Sequence, residues 1–191
     1  MGSIKTALVV LAVVIAVTAR AAHAEVLYEG KTVAEWLQLT KGDVEGQRDR
    51  AYWTLNNLGS DVVPAVAAAL KDEDQRVRAA AAHALGCIGP DANGALPELM
   101  EALRDRDPNT RAEAAAAVWK CGGDTDAALA AVTEVLRGKG LYPRMYAARA
   151  LGEIGPGAEA AIPALEQVAE EKCPPLRHAA EEAINRIRGG A

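Results

Sequence analysis

Apolar residues return along this chain in two rhythms at once. Locally they recur at the i, i+4 spacing that lines one face of an α-helix: Val66 and Leu70, Leu99 and Leu103, Val132 and Leu136, Leu165 and Ala169. Over longer distances whole stretches recur. R-A-A-A-A-H-A-L-G from Arg78, R-A-E-A-A-A-A-V-W from Arg111, R-M-Y-A-A-R-A-L-G from Arg144 and R-H-A-A-E-E-A-I-N from Arg177 begin 33 residues apart, and a weaker copy, R-D-R-A-Y-W-T-L-N, begins at Arg48, 30 residues before the first. A fixed period in this range is the signature of stacked repeats, each unit a helical hairpin that cannot bury its apolar face alone.

The units predicted from this period are 33–62, 63–93, 94–127, 128–159 and 160–189. In the first, Thr32 and Glu35 have capping-box spacing. Val33, Trp36, Leu37 and Leu39 then supply the apolar residues of a first helix, and a second is expected over 47–58, ending at Gly59. In later units the first helix opens at Pro64, Pro97 or Pro163, where a missing N–H costs nothing; only Ala130 breaks that series. Asp74 and Asp107 are placed to cap the second helices, with Pro108 in a first turn. Those helices share three buried columns: Ala51, Ala81, Ala114, Ala147 and Ala180; Leu55, Leu85, Val118, Leu151 and Ile184; Leu58, Ile88, Cys121, Ile154 and Ile187. Gly59, Gly89, Gly122 and Gly155 are expected to close them. The fold class is all-α, a right-handed α-solenoid of about five stacked hairpins.

The N-terminus lies outside this pattern. Lys5 precedes an unbroken apolar run from Ala7 to Val17, and Ala22 and Ala24 form an A-x-A site. This predicts a signal peptide over 1–24, a lead-in over 25–32, and a mature protein exported to the periplasm or outside the cell. Eleven apolar residues are too few to span a bilayer, which takes about 20, so no stable membrane insertion is expected after cleavage.

Composition narrows the function. Loss of Lys5 and Arg20 with the first 24 residues takes the formal charge from −5 to −7. A sequence-independent nucleic-acid binder needs a basic face, so no nucleic-acid partner is expected. Three cysteines, Cys87, Cys121 and Cys173, make no disulfide framework; Cys121 stands where its copies carry Ile and reads as a small core residue.

The stretch K-D-E-D-Q-R-V-R-A-A-A-A-H-A-L-G-C-I-G-P, residues 71–90, resembles the HEAT-like repeat, the type also found in phycobilisome lyases. The likeness covers 33–189, and the opening Y-E-G-K-T-V-A-E-W resembles that of exported bacterial HEAT-repeat proteins. The resemblance implies that the second helices line the concave side. It also implies that an Asp six residues before the repeat Arg links neighbouring units: Asp72 in the Arg78 copy and Asp105 in the Arg111 copy, with Gly42 and Gly138 departing in units one and four.

Rotation by 100° per residue places three outward columns on the second helices: Asp49, Ala79, Ala112, Met145 and His178; Trp53, His83, Ala116, Arg149 and Glu182; Asn56, Gly86, Trp119, Gly152 and Asn185. Aromatics and Arg dominate binding hot spots, so Trp53, His83, Trp119, Met145, Arg149 and His178 are the candidate binding residues. The expected function is a non-enzymatic scaffold for a protein or peptide, with no cofactor, metal or small-molecule ligand. His83 and Cys87 are four apart and supply two metal ligands, where zinc needs three or four. No Ser/His/Asp set or phosphate loop is visible. The alternative is an accessory enzyme, a lyase or metal-dependent hydrolase, using His83, His178 and Glu153.

Overall fold

The computed structural model describes residues 27–42 and 46–189. The segment 1–24 expected as a signal peptide, with Ala22 and Ala24, the first two lead-in residues and the last two residues of the tail lie outside the described residues. Two compact units divide the chain, Met1–Thr32 and Val33–Ala191.

In the first unit, β1 (Leu27–Tyr28) pairs antiparallel with β2 (Lys31–Thr32), Tyr28 opposite Lys31. The turn between them takes positive φ at both Glu29 (51°) and Gly30 (78°), the twist that suits a two-residue hairpin.

The second unit contains ten α-helices among the described residues: α1 (Val33–Leu39), α2 (Gln47–Leu55), α3 (Val63–Ala69), α4 (Gln75–Ile88), α5 (Leu96–Ala102), α6 (Pro108–Lys120), α7 (Thr125–Arg137), α8 (Leu141–Ile154), α9 (Ile162–Ala169) and α10 (Pro174–Ile187). They pair as five antiparallel hairpins. The second helices then stack in series, α4 on α6, α6 on α8 and α8 on α10. The result is a right-handed α-solenoid.

Caps explain where the helices begin. The Asp74 carboxylate accepts from the Arg76 N–H at 2.8 Å and the Asp107 carboxylate from the Thr110 N–H at 2.8 Å. Pro64, Pro97 and Pro163 each stand in the first turn of their helix, behind a 3-10 segment. Where Ala130 replaces proline, nothing forbids continuing backwards, and α7 runs back to Thr125, capped by Asp124. Gly89, Gly122 and Gly155 have φ of 73°, 79° and 66°, the left-handed turn that ends a helix. Gly59 does not: its φ is −85°, and α2 stops earlier, at Leu55. There the Asn57 side-chain amide donates to the Trp53 carbonyl at 2.6 Å, satisfying an acceptor that another turn of helix would have used.

The alanine column is fully buried, with Ala51, Ala81, Ala114, Ala147 and Ala180 all at 0% exposure. The leucine column follows it inward. In the third column Ile88 is only half-buried, and at the end of α9 the buried side chain is Val168 rather than Ala169.

The turn side is held by arginine. Arg78 donates to both oxygens of Asp105 in the next repeat, at 2.7 and 2.8 Å, and to the Asp72 and Glu73 carbonyls of its own turn, at 2.9 and 3.0 Å. Arg144 repeats the device with Glu171, at 2.9 Å from Nη1. The Asp72 carboxylate instead faces back to the first repeat, accepting from Gln38 at 3.1 Å beside Lys41. Opposite Arg111 the corresponding residue is Gly138. Arg111 keeps its carbonyl bond to Asp105 at 2.8 Å, but its buried Nε has no hydrogen-bond partner.

Burial works to raise the Asp105 carboxyl, yet the Arg78 hydrogen bonds and the Asp107 N–H outweigh it and hold the group below its ordinary value. Its stabilising contribution is therefore present above the unfolded value near 3.9 and lost as pH falls through the lower folded value. Asp105→Asn keeps the turn but leaves Arg78, 6% exposed, without its counter-charge, and should cost about 3 kcal/mol. Glu171→Gln, at a 42% exposed partner, should cost under about 1 kcal/mol. Urea unfolding of both variants at neutral pH measures the contrast.

Candidate functional site: the face of the second helices

Because each second helix stacks on the next, side chains on their common face reach across from repeat to repeat. Glu113 on α6 is the centre of this contact. One carboxylate oxygen accepts from His83 Nδ1 on α4 at 3.0 Å, and the other from Arg149 Nη2 on α8 at 2.8 Å. Arg149 Nε lies 3.7 Å from Glu153, whose other oxygen pairs with Lys120 Nζ at 2.7 Å. Five charged groups on three helices thus form one line. The Arg149 guanidinium also lies over the Tyr146 ring, 5.1 Å from its centroid, a cation–π contact.

The line is partly desolvated. The Glu113 side chain is 13% exposed and that of His83 25%. Burial pushes the Glu113 carboxyl up, but the His83 hydrogen bond, then the His83, Arg149 and Lys120 charges, pull it below its ordinary value. His83 moves the other way, to about 9, through its contact with the Cys87 sulfur and then the Glu113 carboxylate. His83 is therefore charged at neutral pH. Tyr52 packs edge-on against its ring at 6.0 Å; burial, then the Glu113 charge, raise the Tyr52 phenol.

Two grooves open along this face. The first, about 670 Å³, is lined from α2, α4, α6 and α8 and includes Tyr52, Asn56, His83, Glu113, Tyr142, Tyr146 and Arg149. The second, about 590 Å³, lies between α8 and α10 and includes Tyr142, Met145, Tyr146, Arg149, Glu153, His178 and Arg186. Tyr142, Tyr146 and Arg149 form a wall common to both.

The structure brings four of the six sequence-chosen residues to these grooves. His83 and Arg149 line the first; Met145, Arg149 and His178 line the second. Trp53 and Trp119 line neither. Trp119 belongs to the column of Gly86 and Gly152, which proves to be a packing seam. A Cβ on Gly86 would meet Ala117 Cα at 3.2 Å, and one on Gly152 would meet Ala183 Cα at 3.1 Å. Trp119 is accordingly half-buried. Trp53 is 62% exposed on α2, which has no preceding second helix among the described residues.

Sequence reasoning missed Glu113, Tyr52, Tyr142 and Tyr146. A signal was present: Glu113 and Tyr146 occupy a repeat position that is Ala80 in α4 and Ala179 in α10. His83, His178 and Glu153 do not converge, since His83 lies in the first groove and the other two line the second. The three cysteines are free thiols. Among the described residues no helix is long and apolar enough to cross a membrane.

The architecture defines a class, the helical-hairpin repeat solenoids. Residues 33–119 and 96–185 match the family model for HEAT repeats, and the chain belongs to the HEAT-repeat family. It is similar to the structure of the complex of CpcE and CpcF of phycocyanin lyase from Nostoc sp. PCC7120, at 27% identity and a TM-score of 0.56, over 83% of this chain and 66% of that one. It is also similar to an engineered protein at 21% identity and a TM-score of 0.52, over 85% of this chain and 81% of that one. No curated protein matches the chain.

The His83 position should be visible in stability. Its folded value near 9 exceeds the unfolded 6.5, so its contribution is complete below about 6.5 and disappears as pH rises through about 9. Melting temperatures across that range should fall for the parent. They should fall less for His83→Gln, which has no proton to lose.

Proposed function

We propose that this protein is an exported, non-enzymatic scaffold that binds an extended protein or peptide segment along the face of its second helices. The observation that carries this reading is the wall common to the two grooves. Tyr142 is 70% exposed and Tyr146 39% exposed, and both stand beside Arg149. Exposed aromatics next to Arg give large contact area at low entropic cost. Stacked repeats commonly present such a face to a partner. The mixed charges of the Glu113 line supply polar contacts around it. The enzyme alternative draws on the likeness to phycocyanin lyase, but the three residues chosen for it are split between the two grooves, His83 in one and Glu153 and His178 in the other, which favours the scaffold. Export rests on Lys5, the apolar run and the A-x-A site.

Tyr142→Ala with Tyr146→Ala should weaken capture of envelope proteins by about 1–3 kcal/mol and leave the circular dichroism unchanged. Glu134→Ala and Arg137→Ala, on α7, should bind as the parent does. Normal binding by the tyrosine variant together with loss in the α7 variants would overturn the assignment of the face.

Export has its own test. The native protein should begin at Glu25, and changing Ala22 and Ala24 to Gln should leave the precursor unprocessed. A native protein that retains Met1 to Ala24 would remove the argument for export.

A further inference from the structure

Cys87 lies in the last turn of α4 and is exposed. Its sulfur stands 3.7 Å from His83 Nε2 and 3.4 Å from Asn56 Oδ1 on the neighbouring repeat. His83 Nδ1 faces Glu113 at 3.0 Å. A carboxylate only accepts, so Nδ1 carries a hydrogen and Nε2 is the nitrogen turned to the sulfur. Arg149 holds the other Glu113 oxygen at 2.8 Å and so fixes the carboxylate that orients the ring. A thiol, an imidazole and an orienting carboxylate stand in the order that activates a nucleophile. Asn56 and His83 both line the first groove.

We propose that Cys87 is a nucleophilic thiol that exchanges with disulfides of small molecules or peptides reaching its exposed sulfur beside the Asn56 and His83 edge of the first groove, with His83 as its proton partner and Glu113 as the positioning residue. The Cys87 thiol gives up its proton to solvent, and the charged His83, with its Nε2 hydrogen turned to the sulfur, holds the thiolate. The sulfur attacks the nearer sulfur of the incoming disulfide, the S–S bond breaks, and a mixed disulfide forms on Cys87. The departing thiolate takes the Nε2 proton of His83, which regains one from solvent, so the thiol proton lost by Cys87 is balanced. One disulfide is exchanged for another, with no net oxidation and no further reactant. Acyl chemistry is disfavoured because a residue inside a helix has no free N–H beside it to hold an oxyanion.

The other two cysteines serve as internal references. Cys121 is 3% exposed beneath the repeats, its sulfur against the Leu85 carbonyl, and burial pushes its thiol to about 11. Cys173 is half-buried just before α10. The exchange site stands independently of the scaffold reading, and it would give such a scaffold a covalent docking point.

The test uses the full chain and dithiodipyridine, an uncharged disulfide whose attack releases a coloured thione. Peptide mass analysis assigns each modified cysteine. Cys87 should react first, ahead of Cys173, with Cys121 silent while the protein stays folded. His83→Gln should slow Cys87 roughly tenfold at neutral pH and leave Cys173 unchanged, and Glu113→Gln should give a smaller slowing. Glutathione disulfide should add one glutathione to the parent, at Cys87. Reaction of Cys173 before Cys87, equal Cys87 rates in parent and His83→Gln, or no glutathione adduct at Cys87 would each overturn the proposal. So would protection of Cys87 by added zinc ions, which would make the pair a metal site instead. The comparison of Cys87 with Cys173 and the glutathione measurement use the parent alone, so they decide the matter even if the variants fail to fold.

Discussion

Everything on the candidate face depends on how closely neighbouring second helices approach. The alanine column lets each helix sit deep between its neighbours. At the seam, Gly86 and Gly152 leave 3.2 and 3.1 Å between a would-be Cβ and the Cα of the facing alanine, a distance that larger side chains would hold open. That closeness brings His83 within hydrogen-bonding distance of Glu113 and Glu113 within reach of Arg149. Helices set farther apart would leave each of these groups to water, where such pairs are worth little.

The solenoid keeps two charged networks on separate sides. On the turn side, the Arg78–Asp105 pair is buried, bidentate and anchored to backbone carbonyls, so it ties repeat to repeat. On the groove side, the Glu113 line is also partly buried, but it meets exposed tyrosines and an exposed thiol. Desolvation strengthens both networks. Only the second presents an exposed thiol and exposed tyrosines outward.

The fourth repeat departs from the pattern in its own way, and it supplies the wall of both grooves. Ala130 stands where others have proline, so α7 gains a turn. Gly138 stands where an acid would meet Arg111, so one rung of the turn-side ladder is missing and Arg111 Nε is left buried and unpartnered. Gly140, at φ 95°, then turns the chain into α8, and the next residues include Tyr142 and Tyr146. Regular repeats maximise stacking; the irregular one carries the exposed tyrosines of the wall, Tyr142 and Tyr146.

The sequence alone determined the repeat and most of the core. A 33-residue period and i, i+4 stripes follow from local geometry, because helix rotation and hairpin length are set by the backbone, and the fully buried alanine column bears this out. Caps were legible for the same reason: Asp74 and Asp107 act within three residues of themselves. The end of α2 was not, because Asn57 competes for a carbonyl in a way that no periodicity records. The candidate face was half legible. His83, Met145, Arg149 and His178 followed from rotation about one helix. Glu113, the turning-in of the Trp119 column and the pairing of Cys87 with His83 depend on the distance and angle between helices. Those quantities are set by which small residues meet at the seam, and that is decided only when the repeats stack.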